Sequence, residues 1–74
     1  MKLSDKKHGA NLIVKSINCD VQTKKQLERI GLTEGVKVIY IRSAPLFDPI
    51  EIKVRDFYLA IRKEIADKII VIDE

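Results

Sequence analysis

Apolar residues recur at every second position through much of this chain. Ile50, Ile52 and Val54 alternate with Glu51, Lys53 and Arg55, which predicts a strand over 50–55 with one buried and one wet face. Phe57, Leu59 and Ile61 resume the alternation after Asp56, a residue that tolerates positive φ and suits a tight turn. Residues 36–42 predict a strand with Val36, Val38 and Tyr40 on one face and Ile39 and Ile41 on the other. Apolar side chains on both faces place it in the middle of the sheet. Ala10 to Ile17, entered through Gly9, and Ile69 to Ile72 supply the first and last strands.

The period changes between the first two strands. Thr23-Lys24-Lys25-Gln26 fits a capping box, in which the Thr23 hydroxyl accepts the Gln26 amide hydrogen and the Gln26 side chain reaches back. Leu27 and Ile30 share the face that would plug a core. Gly31 stands where a left-handed residue is needed to end the helix, and Leu32 and Leu27 form the apolar pair of a Schellman ending. Thr33-Glu34-Gly35 is a turn, residues 43–48 are a loop, and residues 63–68 read as one helical turn. Short strands, one small helix and tight turns predict a mainly β fold, a small barrel or curled sheet.

A length of 74 residues predicts a single domain over 1–74, with residues 1–9 a flexible or loosely packed leader. Aromatics make up only 5% of the chain, so Ile, Leu and Val must build the core. The net charge of +3 falls in the first fifteen residues, where Lys2, Lys6, Lys7 and Lys15 face Asp5 alone; the remainder balances. A balanced body lacks the one-signed stripe that displaces counterions from phosphate, so no nucleic acid is expected as a partner. One cysteine, Cys19, excludes an internal disulfide and suits a reducing compartment. No apolar run is long enough to span a bilayer. The expected location is cytoplasmic, with the membrane reached only through a partner.

Catalytic chemistry is not legible. The one histidine, His8, lies in the charged leader, far in sequence from Cys19, and a nucleophile needs both a base and an orienting group. Gly9, Gly31 and Gly35 are isolated and form no phosphate-binding loop. Carboxylates are dispersed among lysines and arginines, and Asp73-Glu74 is a solvated end, so neither a metal site nor a cofactor is expected. Protein–protein contact remains. The stretch Ala44-Pro45-Leu46-Phe47, stiffened by Pro45 and Pro49, either presents Leu46 and Phe47 to a partner or folds them back over the end of the sheet. Arg42 and Arg62 either anchor an acidic partner or pair with Asp48 and Glu64. The five candidate docking residues are Arg42, Pro45, Leu46, Phe47 and Arg62.

Three blocks in order carry a resemblance across nearly the whole chain: Leu27-Glu28-Arg29-Ile30-Gly31-Leu32-Thr33-Glu34-Gly35, Ala44-Pro45-Leu46-Phe47-Asp48-Pro49-Ile50, and Val54-Arg55 followed by Leu59-Ala60-Ile61-Arg62-Lys63-Glu64. Together they resemble the FeoA family. Two positions depart from its pattern, Phe47 and Asp56, where the family usually has glycine. The resemblance implies an SH3-like five-stranded barrel with one short helix and a C-terminal helical turn. It implies a non-enzymatic, cytosolic accessory of ferrous-iron uptake, binding the cytosolic GTPase or membrane portion of a FeoB-type transporter. Transition-metal association would then belong to the pathway. The chain also resembles the C-terminal domain of iron-dependent metalloregulators, which implies the alternative of a free-standing regulatory barrel that binds a repressor or peptide. Either role fits a monomer or a weak homo-oligomer, since exposed strand edges leave room for a dimer.

Overall fold

The computed structural model describes residues 1–74, the side chain of Phe47 excepted. Its elements run β1 (Asn11–Ile17), α1 (Val21–Arg29), β2 (Lys37–Ser43), β3 (Ile50–Val54), β4 (Phe57–Ile61), α2 (Lys63–Ala66) and β5 (Ile69–Asp73), with short 3-10 turns at Leu3–Asp5 and Pro45–Phe47. The strands form one antiparallel sheet in the order β4-β3-β2-β1-β5. Bulges interrupt the register between Val14 and Ser16 and between Tyr40 and Arg42. Such irregularities bend a strand and raise its twist, which lets the sheet curl around one apolar core.

The expected barrel does not form. β4 and β5 are the two ends of the sheet and do not pair with each other. The reason lies at the N-terminus. The Met1 amino group donates to the Val71 carbonyl at 3.0 Å, the Val71 amide donates to the Met1 carbonyl at 2.7 Å, and Lys2 bridges Ile70. The free side of β5 is therefore occupied by the start of the chain. The leader, expected to be flexible or loosely packed because it is charged, is packed here. Leu3 is 0% exposed, within the same cluster as Leu12, Ile52 and Val71.

Alternation in the strands corresponds to burial. Ile50, Ile52 and Val54 are each 0% exposed, and Val36, Val38 and Tyr40 all face the core. The helix begins earlier than the capping-box reading places it. Asp20 is the cap, and its carboxylate accepts the Thr23 amide hydrogen at 3.2 Å. The exit matches the Schellman pattern. Leu32 N–H donates to the Leu27 carbonyl at 3.0 Å, Gly31 N–H donates to Glu28 at 3.1 Å, and Gly31 has φ 98°. Leu27 and Leu32 are buried, whereas Ile30, expected beside Leu27 in the core, is 43% exposed.

Candidate docking site

The connection between β2 and β3 leaves the sheet and returns within a few residues. Ala44 N–H donates to the Pro49 carbonyl at 3.0 Å, which closes the loop at its base. Pro45 opens a 3-10 turn, where a missing N–H costs nothing. Leu46 follows at φ 66°, a conformation that crowds a β-carbon, and is 89% exposed. Phe47, the other apolar candidate in this loop, has a side chain outside the described residues. The Asp48–Pro49 peptide is cis.

Two clefts flank Pro49. One, of about 300 Å³, is lined by Asp48, Pro49 and Arg62. The other, of about 190 Å³, is lined by Arg42, Ala44, Pro49, Glu51 and Ala60. The fold thus gathers Arg42, Pro45, Leu46 and Arg62 around one end of the sheet. The anticipated ion pairs are different, however. Arg42 Nε lies 3.0 Å from Glu51 Oε1, its cross-strand neighbour, and not on Asp48. Asp48 instead accepts the Lys63 amide hydrogen at 3.1 Å, tying the loop to the first turn of α2. Arg62 has no ion-pair partner among the described residues. One guanidinium is therefore partly neutralised, and the other is available to an acidic group.

The positive φ of the β3–β4 turn falls on Arg55, at 56°, and not on Asp56 as the sequence suggested. On the outer face of the sheet, Lys37, Lys53 and Arg55 surround a cleft of about 430 Å³, whose walls include Ile39 and Glu74. Lys53 and Arg55 are visible in sequence as the wet face of β3. Lys37 joins them only through strand pairing, which no local pattern announces. Glu74 lies 2.9 Å from Lys37, a contact that raises the lysine pKa chiefly through that hydrogen bond.

The remaining reactive groups are separated. His8 stacks on Tyr40 with ring centroids 6.0 Å apart. Cys19 sits against the core beside a cleft lined by Asp20, Thr23, Glu64 and Lys68. Burial pushes the Cys19 thiol above its usual range, which keeps it protonated and a poor nucleophile. Asp73 lies 2.8 Å from Lys6, and Glu74 is held by Lys37, so the two terminal carboxylates are directed to separate lysines. Among the described residues no three His, Cys, Asp or Glu side chains gather in metal-binding range. No helix is long and apolar enough to cross a membrane.

The family model of the FeoA domain matches residues 1–73. The chain belongs to the FeoA family. It is similar to the FeoA protein from Chlorobium tepidum, with 36% identity, a TM-score of 0.93, and coverage of 99% of this chain and 70% of that one. It is also similar to iron(II) transport protein A from Clostridium thermocellum, with 30% identity and a TM-score of 0.92 over 99% of this chain; that match spans 45% of the longer protein. A manganese-dependent transcriptional repressor shares the fold alone, with 16% identity and a TM-score of 0.87 over 100% of this chain and 41% of that one. A comparison with curated proteins gave no match. FeoA domains are non-catalytic adaptor modules, and membership makes this chain an accessory of ferrous-iron uptake that works with a FeoB-type transporter.

Proposed function

We propose that this FeoA-family protein works on the cytosolic side of the membrane and docks on its FeoB-type transporter through the loop at 44–49. The observation that carries this reading is Leu46. A leucine at positive φ and 89% exposed gains little from its own fold, so its side chain serves something outside it. Pro45 and the Ala44–Pro49 hydrogen bond hold the loop in place before binding, which lowers the ordering cost on association. Arg62 at the neighbouring cleft supplies a charge for an acidic group on the partner, and Arg42 a second, weaker one.

Such docking modulates transport only if the partner's nucleotide states bind the loop unequally, because a ligand with equal affinity for both states shifts neither. The test is an amide-resolved NMR titration with the transporter's cytosolic GTPase domain in GDP and GTP-analogue forms. Shifts centred on residues 44–49 and 62, larger in one form, are expected. Leu46→Ala should weaken binding by roughly tenfold or more, the effect of truncating an apolar anchor. Shifts confined to the opposite end of the sheet would overturn the loop assignment.

A further inference from the structure

We infer that the protein self-associates by pairing the β4 strands of two copies into one continuous antiparallel sheet. The two ends of the sheet are treated differently. The outer side of β5 is occupied by Met1 and Lys2. The outer side of β4 has no such cover among the described residues. Nor does β4 carry any of the usual devices that blunt an edge. Phe57-Tyr58-Leu59-Ala60-Ile61 contains no charge and no proline, and its register with β3 runs without a bulge.

Hairpin geometry identifies the available groups. The two-residue turn at Arg55-Asp56 makes Val54 and Phe57 a hydrogen-bonded pair, and alternation gives Leu59 and Ile61 the same inward role. The N–H and C=O groups of Tyr58 and Ala60 therefore point away from β3. Among the described residues neither makes a backbone hydrogen bond beyond the sheet, and both are exposed.

The strand is complementary to itself in one register. Antiparallel pairing centred on Leu59 sets Tyr58 against Ala60 of the second copy, and symmetry repeats the pair, so all outward groups of both strands bond. Phe57 then faces Ile61, large faces small at Tyr58 and Ala60, and no charge is buried. Beyond the apolar run, Asp56 of one copy approaches Arg62 of the other, twice per dimer. Arg62 is itself extended, at φ −62° and ψ 144°, and continues the strand direction. A shift of two residues either way halves the bonded pairs within the strand and removes this charge match. The contact is isologous and closes at two copies.

Sedimentation equilibrium across a concentration series tests the pairing, together with amide exchange read residue by residue. The wild-type mass should double on approaching roughly millimolar protein, as a small interface requires. Protection should rise with concentration at the Tyr58 and Ala60 amides. Ala60→Pro removes an outward donor at an edge position that tolerates proline, and should weaken association by about tenfold or more. If that variant misfolds, Tyr58→Lys, at a site 61% exposed, serves instead and should weaken association likewise. Arg62→Asp should weaken the dimer, and adding Asp56→Arg should restore it. A wild type that stays monomeric to roughly millimolar concentration overturns the proposal, even if β4 then captures a strand from another protein. So does a dimer unaffected by a folded edge variant.

Discussion

A leucine held at φ 66° costs roughly 1 kcal/mol or more relative to a residue without a β-carbon. Leu46→Gly should therefore leave stability unchanged or raise it slightly while weakening docking, and thermal melts beside a binding titration read both. A merely structural leucine would give the opposite stability result. Asp67 supplies a second residue-scale outcome. Its carboxylate is held below the usual 3.8, first by the Ser4 hydroxyl hydrogen bond and then by nearby Lys63. A depressed folded pKa contributes stability that is present above the unfolded value and is lost as pH falls through the folded one. Ser4→Ala should remove part of this acid sensitivity, so the difference from wild type should be visible at neutral pH and shrink below about pH 3.8, as denaturant melts at stepped pH would show. Neither feature is readable from sequence. The loop pattern marks residue 47 as the departure from glycine, but the positive φ falls one position earlier, and Ser4 meets Asp67 only across 63 residues of chain.

At the scale of elements, the strands were legible because alternation is written locally, and the inward sets of β3 and β4 are those the period predicts. The end of α1 was legible for the same reason: glycine at the left-handed position and the Leu27–Leu32 pair lie within six residues. Its start was not. Both Asp20 and Thr23 can cap, and the sequence offers no way to rank them; the fold selects Asp20, which adds a turn before the expected boundary. A two-turn helix has few residues with which to fix its buried face, so the period places Ile30 beside Leu27 while the fold leaves it exposed. The exit gives a clean prediction. A β-carbon at Gly31 would lie 3.8 Å from two Phe57 ring atoms, an ordinary contact, so only the backbone objects. Gly31→Ala should cost roughly 1–2 kcal/mol by denaturant melts. A larger loss would mean that Phe57 cannot yield and that α1 and β4 are packed more tightly than the spacing indicates.

For the whole molecule, period shows which side chains face inward but not which strand edges meet, so the pattern leaves barrel and curled sheet open; the resemblance implies the barrel, and an open sheet is found. Closure depends on a competition for the free side of β5, and the N-terminus wins it. Local reading favoured a solvated leader because its lysines outnumber its apolar residues. The leader is nonetheless bound through backbone hydrogen bonds, the fully buried Leu3, and the Lys6–Asp73 pair. With the Asp73 side chain 76% exposed, the ion pair adds little. Most of the binding must then reside in Leu3 and the backbone. Leu3→Ala should cost about 3 kcal/mol and lower Tm by roughly 10 °C or more, whereas Lys7→Ala, at an exposed position four residues on, should stay within about 0.5 kcal/mol of wild type. Equal, small effects at both positions would mean that Leu3 does not hold the leader in place and that β5 is nearly as open an edge as β4. The two sheet ends would then compete for self-pairing, and edge variants in β4 would reduce association without abolishing it. A large effect at Leu3 alone leaves β4 as the single accessible edge among the described residues, and edge pairing then has no route beyond two copies.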